Sequence, residues 1–160
     1  QKITPINIYN QNKDYIDELI DNMILVYSGK RRLSHKITID KINKMSSNQS
    51  VINEMVDLTK EAYSLIKKQD NISKISSLMK KNWILKKKLS DRVSNKFIDK
   101  IFDKAYHDGA TAGKILGAGG GGFLLFIVPK KNQKKFINYN KFKAIKIKLD
   151  TFGIRHFTDD

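Results

Sequence analysis

The stretch KILGAGGGGFLLFIVP, residues 114–129, places the most flexible backbone of the chain directly against its most strand-like segment. Five of the 9 glycines lie between Gly117 and Gly122. Glycine permits positive φ and close backbone approach, whereas a continuous apolar run ended by proline favours a buried strand. The stretch therefore predicts a glycine-rich loop that leads into a strand, and it raises the question of what this loop approaches.

Two further segments are predicted to be strands beside the apolar run at residues 122–128. Residues 23–29, MILVYSG, form a short apolar run closed by glycine, and residues 143–149 alternate apolar side chains with lysine. The second pattern is typical of a strand with one face in water. GIRHF, residues 153–157, could add an edge strand.

Helical periodicity fills the rest of the chain. Apolar residues recur at helical spacing in several stretches, namely residues 15–20, 31–45 (weakly), 51–66, 72–85 and 97–105, and residues 131–139 are predicted to form a short basic helix or a turn. Ser94 is the predicted N-cap of the helix at 97–105, and residues 46–50 could cap the helix that follows them. This order of elements predicts a single α+β domain over residues 1–160, with an antiparallel sheet and helices packed on one face.

Composition excludes several classes of protein. The absence of cysteine excludes disulfides and thiolate metal sites, and no metal ligands are predicted. No apolar run approaches the roughly 18 residues of a membrane helix, so no membrane partner is expected. The first residues, QKITPINIYNQNKDY, lack the layout of a signal peptide. We therefore expect a cytoplasmic protein.

The net charge of +15 raises the question of nucleic-acid binding. Of the 31 basic residues only four are arginine, at positions 31, 32, 92 and 155, and the others are lysine. Recognition of bases and phosphates favours the forked guanidinium group. We therefore interpret the charge as a solvated basic surface and do not expect a nucleic acid as partner.

The glycine-rich stretch at residues 114–122 allows two interpretations. Its backbone amides could form a concave nest that binds an anion, usually phosphate. Alternatively, it could be a tight connection in which glycine only avoids clashes. It is not a phosphate-binding P-loop sequence, because no Gly-Lys-Ser/Thr follows, and not a dinucleotide-binding fingerprint, because the glycines precede the strand.

Residues 109–129, GATAGKILGAGGGGFLLFIVP, closely resemble the third conserved motif of the GHMP-type small-molecule kinases. WILKKKLSDRVSN, residues 83–95, followed by FIDKIFDKAYHDGA, residues 97–110, resembles the block W-x-x-K-x-x-L-S…S-N-x-x-I-D…A-x-x-x-G-A of that family. PINI, residues 5–8, resembles the lead-in to its second domain, and the likeness runs from about residue 3 to residue 149. It is strongest to the branch that contains D-glycero-D-manno-heptose 7-phosphate kinase and the kinase domain of L-fucokinase.

The resemblance implies a ferredoxin-like C-terminal domain whose glycine loop packs over the nucleotide phosphates. Gly117, Ala118, Gly119, Gly120 and Gly121 would then border the phosphates of ATP, which is used with Mg²⁺ in the full enzyme. That enzyme would transfer the γ-phosphoryl group of ATP to a hydroxyl of a sugar or sugar phosphate. A methyl group at Gly119 or Gly120 should obstruct the approach of the backbone to the nucleotide.

A second segment, VYSGKRRLSH at residues 26–35, resembles the family pattern Y-T-G-x-x-R-S-A-S and maps Arg32 onto its arginine. The guanidinium of Arg32 could bind a phosphate of the sugar substrate or of ATP, or it could be solvated at a helix start. Ser28 keeps a hydroxyl where threonine is usual and is the other predicted substrate-binding residue. Leu33 and His35 depart from the pattern, and His35 is expected to be exposed.

The family also implies an N-terminal domain with a P-x-x-x-G-L-G-S-S phosphate loop and a catalytic acid, and neither motif occurs in this chain. The chain therefore matches only the C-terminal part of such a kinase, as a piece of it or as a split or degenerate relative. We predict no catalytic residue, and Asp99, Asp103 and Asp108 are expected to face solvent or cap a helix. Alone, the 160 residues are expected to be inactive.

The expected partners are the missing N-terminal kinase domain and a sugar or sugar phosphate. The identity of the sugar, the hydroxyl that is phosphorylated and a homodimer stay open. Two alternatives of another class also stay open at this point, a ferredoxin-like module that binds RNA and a regulatory domain that binds a small molecule. The run FLLFIV, residues 123–128, is too uniformly apolar for an RNA-reading face, and we expect it to be buried.

Overall fold

The computed structural model describes residues 9–30, 34–139 and 143–150. These ranges contain six helices and four strands. In chain order the elements are α1 (Lys13–Asp21), β1 (Met23–Tyr27), α2 (Ser34–Asn43), α3 (Gln49–Lys67), α4 (Ile72–Lys88), α5 (Lys96–His107), β2 (Ala112–Ile115), β3 (Phe123–Ile127), α6 (Lys130–Tyr139) and β4 (Lys143–Lys146).

The four strands form one sheet in the order β2-β3-β1-β4, and every neighbouring pair is antiparallel. Strand β3 lies between β1 and β2, which are joined by the helices α2 to α5. This is the split β-α-β arrangement of a ferredoxin-like fold. The α+β, ferredoxin-like antiparallel sheet expected from the sequence and from the family resemblance is therefore confirmed.

One face of the sheet is the centre of the main core. The register sets Ile24 opposite Phe126 and Val26 opposite Leu124, and all four side chains are fully buried. Aromatic rings from the helices cover this face: Phe102 of α5 lies 5.2 Å from Phe126, centroid to centroid. Since full burial of each large apolar side chain stabilises a fold by about 1.5–3 kcal/mol, this face contributes most to stability.

The opposite face is covered at one end and open at the other. Ala112 and Ile127 form a second apolar cluster with Leu19 of α1 and Ile75 of α4, so helices also reach this side of the sheet. At the other end Phe123 is 41% exposed. We call this part of the sheet the open face; its apolar residues are Leu25, Tyr27, Phe123, Leu125 and Ile145. The expected burial of the run at residues 123–128 thus holds for Leu124 to Val128 in the main but not for Phe123.

The predicted strands at residues 23–29, 122–128 and 143–149 are confirmed as β1, β3 and β4. The expectation of a continuous loop over residues 114–122 is wrong in its first part, because Ala112–Ile115 forms strand β2. Four residues that include Gly113 and Lys114 show too little alternation to predict a strand. Their conformation depends on pairing with β3, a contact that a local pattern does not contain.

The helices predicted from periodicity are confirmed, but the predicted cap of α5 is wrong. Asn95, not Ser94, is the N-cap, and its side-chain oxygen accepts hydrogen bonds from the amides of Phe97 and Ile98, each at 3.0 Å. Ser94 instead donates to Asp99 at 2.7 Å. Residues 5–8 and the suggested edge strand at 153–157 lie outside the described residues.

Of the two expectations for Asp108, facing solvent or capping the helix, the structure shows the second: Asp108 is the C-cap of α5, and it is 1% exposed. Its carboxylate accepts a hydrogen bond from Lys104 at 2.5 Å and lies 3.1 Å from Nδ1 of His107. Burial alone would raise the pKa of Asp108, but the hydrogen bonds from Lys104 and His107 outweigh burial, so its pKa lies below the ordinary value.

No described helix is both long enough and apolar enough to span a bilayer.

The lowered pKa of Asp108 predicts a specific pH dependence. The charged carboxylate stabilises the fold above the pKa of an unfolded Asp, about 3.9, and this contribution is lost as pH falls through the folded pKa. Asp108→Asn should lower the free energy of unfolding at pH 7 by about 1–2 kcal/mol. The difference in the free energy of unfolding between wild type and Asp108→Asn, measured by urea titration, should become smaller below pH 4. Asp103→Asn, at an exposed position of α5, is the control. A difference in the free energy of unfolding that does not change with pH would contradict the prediction.

Candidate functional site

The glycine-rich stretch connects the antiparallel strands β2 and β3. The amide of Leu116 donates to the carbonyl of Phe123 at 2.9 Å, which closes the hairpin and leaves residues 117–122, here called the glycine loop, as its connection. Gly119 has φ +121° and Gly120 has φ +73°. Residues that carry a side chain rarely adopt such φ values, so the backbone conformation of the loop itself requires glycine at these two positions.

The segment that follows β1 holds the end of the glycine loop. The amide of Ser28 donates to the carbonyl of Gly122 at 2.9 Å, and the amide of Gly122 donates to the carbonyl of Lys30 at 3.1 Å. Ser28 is 1% exposed, and its hydroxyl oxygen lies 3.4 Å from the amide of Lys30. The structure therefore brings the predicted residue Ser28 next to the glycine loop, with its side chain buried.

A turn between α4 and α5, residues 89–95, packs directly against the glycine loop, and we call it the Val93 turn. The carbonyl of Val93 accepts a hydrogen bond from the amide of Gly120 at 2.9 Å. A Cβ atom on Gly119 would lie 2.7 Å from the Cα of Val93 and 2.8 Å from its carbonyl oxygen. Backbone thus packs directly on backbone at this contact.

This contact changes the reason for glycine at these positions. From the resemblance, a methyl group at Gly119 or Gly120 was expected to obstruct a nucleotide. At Gly119 it would first meet the backbone of the Val93 turn, and at Gly120 it would lie 2.8 Å from Cδ1 of Ile37. Backbone packing therefore accounts for glycine at position 119, and the positive φ of +73° accounts for it at position 120, whatever the loop binds.

Helix α2 fixes the Val93 turn through Asp40. The hydroxyl of Ser90 donates to the carboxylate of Asp40, and Lys44 lies 3.5 Å from the same carboxylate. The hydrogen bond from Ser90 lowers the pKa of Asp40 below its ordinary value, and the nearby charges of Lys44 and Arg92 lower it further. Asp40 therefore stays ionised at neutral pH and keeps this link charged.

Two lysines bind carbonyl groups of the glycine loop and of the strand end that precedes it. The ammonium of Lys86, on α4, donates to the carbonyl oxygens of Ile115 and Gly117, each at 2.8 Å. The ammonium of Lys41, on α2, donates to the carbonyl of Ala118. The side-chain amide of Asn95 lies 3.4 Å from the carbonyl of Gly120. Two helices and the N-cap of a third thus supply side-chain donors to carbonyls in and beside the loop.

The loop amides are in the opposite situation. Within the residues that the structure describes, the amides of Gly117, Ala118 and Gly119 donate to no protein acceptor. Gly117 is exposed, Ala118 half-buried and Gly119 buried. Since lysines bind the carbonyls of Gly117 and Ala118, the amides of this part of the loop are the groups left for a ligand, and clustered amide donors bind anions such as phosphate.

The other predicted residues are placed as follows. Arg32 lies outside the described residues, just before α2, and His35 is exposed as expected. Gly121 is buried, and its Cβ position lies 3.0 Å from the carbonyl oxygen of Lys30. The ammonium of Lys30 sits 4.2 Å above the ring of Phe97. Among the described residues, no group of three His, Asp or Glu side chains is arranged to hold a metal ion.

Sequence reasoning missed four residues that shape the site: Lys41, Lys86, Val93 and Asn95. Lys86 and Asn95 do stand in the ordered block W-x-x-K…S-N, so the family resemblance marked their positions without a role. No local pattern predicts that Lys86 reaches a carbonyl 29 residues further along the chain. Among so many lysines, only the fold distinguishes this one.

A scan against protein-family models gives a match over residues 52–145 to the family described as GHMP kinases C terminal. This chain belongs to that family. The match begins within α3 and ends within β4, and so includes the glycine loop, the Val93 turn and Lys86. The resemblance drawn from the sequence is thereby confirmed.

The GHMP domain is similar to two curated proteins. It is 27% identical over 147 residues to D-glycero-alpha-D-manno-heptose 7-phosphate kinase of Campylobacter jejuni, covering 90% of this chain and 40% of that protein. It is 26% identical over 126 residues to the bifunctional fucokinase/GDP-fucose pyrophosphorylase of Arabidopsis thaliana, covering 75% of this chain and 12% of that protein. The chain thus spans less than half the length of these relatives.

Among solved structures, the mevalonate kinase of Methanococcus jannaschii superposes with a TM-score of 0.64 at 23% identity. The superposition covers 91% of this chain and 42% of that chain. It agrees with the family match on the fold.

The close packing of Gly119 on the Val93 turn predicts a large effect on stability. Gly119→Ala combines an unfavourable φ with a backbone clash and should lower the free energy of unfolding by roughly 2–4 kcal/mol. Gly29→Ala is the matched control, because Gly29 also has positive φ (+75°) but no atom within 4 Å of its Cβ position. This control should cost about 1 kcal/mol. Equal losses for the two variants in urea unfolding would show that the packing of Gly119 on Val93 contributes nothing.

Proposed function

We propose that this chain is the C-terminal domain of an ATP-dependent sugar or sugar-phosphate kinase, and that its glycine loop covers the phosphates of ATP. One observation carries the proposal: the amides of Gly117, Ala118 and Gly119 make no hydrogen bond to the described protein, while the neighbouring carbonyls are bound by lysines. Such a loop is suited to an anion. The family match and the names of the curated relatives support a kinase of sugars.

In this proposal the glycine loop acts by position and charge. ATP, when bound, supplies the γ-phosphoryl group that is transferred to a sugar hydroxyl. The amides of Gly117, Ala118 and Gly119 would donate to phosphate oxygens, whereas the amide of Gly120 already donates to Val93 and shapes the loop. Because the Val93 turn and the lysines hold the loop in place, its donors need no reorganisation when ATP binds.

The chain would need a further domain for catalysis. The described residues present no carboxylate cluster for Mg²⁺, so we propose that the ion is held by the ATP phosphates and by residues of an N-terminal kinase domain. We propose no catalytic residue in this chain. The curated heptose-phosphate kinase relative is longer, with 40% of its length matched, which leaves room for such a domain.

The open face of the sheet is the surface that we propose the further domain contacts. Phe123 follows the glycine loop directly and is 41% exposed, with its ring 5.0 Å from the ring of Tyr27. Ile145 on the same face is 38% exposed. Exposed apolar side chains clustered beside a site are typical of an interface. A second copy of the chain could cover the same face.

An RNA-binding module or a non-catalytic regulatory domain is not favoured. The family model that matches is that of kinases, and both curated relatives carry kinase names. No observation on the described residues supports either alternative over the kinase proposal.

The kinase proposal predicts activity for the complete protein that contains this chain and none for residues 1–160 alone. A coupled assay with a panel of sugars and sugar phosphates, including fucose and heptose 7-phosphates, should show ATP-dependent phosphorylation of at least one compound. Activity of the isolated 160 residues would contradict the proposed need for another domain. A complete protein that neither binds ATP nor phosphorylates any member of the panel would contradict the proposed function.

Arg32 is proposed to bind a phosphate of the sugar substrate or of ATP, on the likeness of residues 26–35 to the family pattern. In the complete protein, Arg32→Met should raise the KM for one of the two substrates about tenfold, because a charge-assisted hydrogen bond to phosphate is lost. Arg31→Met, at the preceding residue, removes the same charge and should leave both KM values near those of wild type. The substrate whose KM changes identifies the phosphate. Equal KM values in the two variants would refute the role of Arg32.

A further inference from the structure

Lys86 uses its ammonium in an unusual way for a lysine of this chain. Its Nζ lies 2.8 Å from the carbonyl oxygens of both Ile115 and Gly117, which flank Leu116. The side chain is half-buried on α4, while its neighbours Lys87 and Lys88 are exposed. The ammonium thus makes two charge-assisted hydrogen bonds, one to the end of β2 and one to the start of the glycine loop. Such bonds are stronger than neutral ones and restrict the peptide groups that accept them.

The geometry of the trans peptide connects these carbonyls with the loop amides. In a trans peptide the C=O of one residue and the N–H of the next point in opposite directions. The carbonyl of Gly117, bound by Lys86, therefore opposes the amide of Ala118. The carbonyl of Ala118, bound by Lys41, opposes the amide of Gly119. These are two of the amides that donate to no described protein acceptor.

The two ammonium groups also act on the loop through their charge. Each lies at the carbonyl end of a peptide dipole and polarises it, so that the N–H at the other end becomes a stronger donor. Their positive charges further favour an anion on the amide side, since they lie only one peptide group away. The lysines thus orient and strengthen the donors without having to touch the ligand.

We infer that Lys86, assisted by Lys41, is a positioning residue that holds the carbonyls of the glycine loop so that its amides face the phosphates of a nucleotide. This inference rests on the proposed function and deepens it, because it names residues that hold the phosphate-binding amides in place without touching the nucleotide. It differs from a direct role of Lys86 as phosphate ligand, in which the ammonium would have to leave both carbonyls.

The test uses the complete protein and three variants. Lys86→Met keeps the length of the side chain and removes the charge, Lys86→Arg keeps the charge, and Lys88→Met removes an exposed charge two residues along the chain. Calorimetry measures the Kd for ATP and for adenosine, which lacks phosphates. Lys86→Met should raise the Kd for ATP about tenfold and leave that for adenosine unchanged. Lys86→Arg should recover most of the affinity, and Lys88→Met should resemble wild type.

Hydrogen exchange without nucleotide tests the positioning role separately from the proposed function. The amides of Leu116, Gly120 and Gly122 are hydrogen-bonded and should exchange slowly in wild type. Lys86→Met should accelerate exchange over residues 116–122, and Lys86→Arg and Lys88→Met should not. Unchanged exchange in Lys86→Met would overturn the inference even if the wild-type protein binds ATP. Faster exchange without ATP binding in wild type would show that Lys86 positions the loop, but the proposed function, and with it the role toward a nucleotide, would fall.

An equal loss of affinity for ATP and adenosine in Lys86→Met would also overturn the inference, because it would show a general disturbance of the site. An equal Kd for ATP in Lys86→Met and Lys88→Met would likewise overturn the inference, because any loss of affinity would then follow from the change in net charge and not from the position of Lys86. A selective loss for ATP with faster exchange over residues 116–122 is the result that supports a positioning role.

Discussion

The direct contact between the backbone of Gly119 and the backbone of the Val93 turn is the constraint on which the site depends. A side chain at Gly119 would have to occupy the space of the Val93 Cα, 2.7 Å from its own Cβ. Because the two backbones touch, the amide of Gly120 reaches the carbonyl of Val93, and the helices on both sides of the turn come close enough for Lys86 and Asn95 to reach the loop. The glycine loop is therefore held in one conformation by its contacts with the Val93 turn and the lysines, although Gly117 is exposed.

The charge of the protein has a more specific use than its net value of +15 suggests. Most lysines that the structure describes are exposed, but Lys41 and Lys86 donate to backbone carbonyls at the end of the sheet. Asp40 and Asp108 likewise have charged groups with fixed partners: neighbouring side chains donate to each carboxylate, and the pKa of each is lowered. A few oriented charges thus organise the structure, while the remaining excess of lysine covers its surface.

The sheet divides into two faces with different tasks. The face around Val26 and Phe126 is buried and gives the domain its stability, and it could be predicted from apolar periodicity because such a pattern is local. Strand β2 could not, because Ala112–Ile115 is a strand only through its pairing with β3. The open face at Phe123 also escaped prediction, since a uniformly apolar run does not reveal which of its residues meets a helix.

By itself the amino-acid sequence determined the strands and helices with strong periodicity, the family and the position of the glycine loop, because these depend on residue type and local order. Only the tertiary structure decided how the loop is used. It showed that Gly119 is required by packing on Val93, that Ser28 is buried beside the loop, and that Lys86 binds loop carbonyls. The physical reason is that each of these contacts joins residues distant along the chain, so the identity of the partner is a property of the fold.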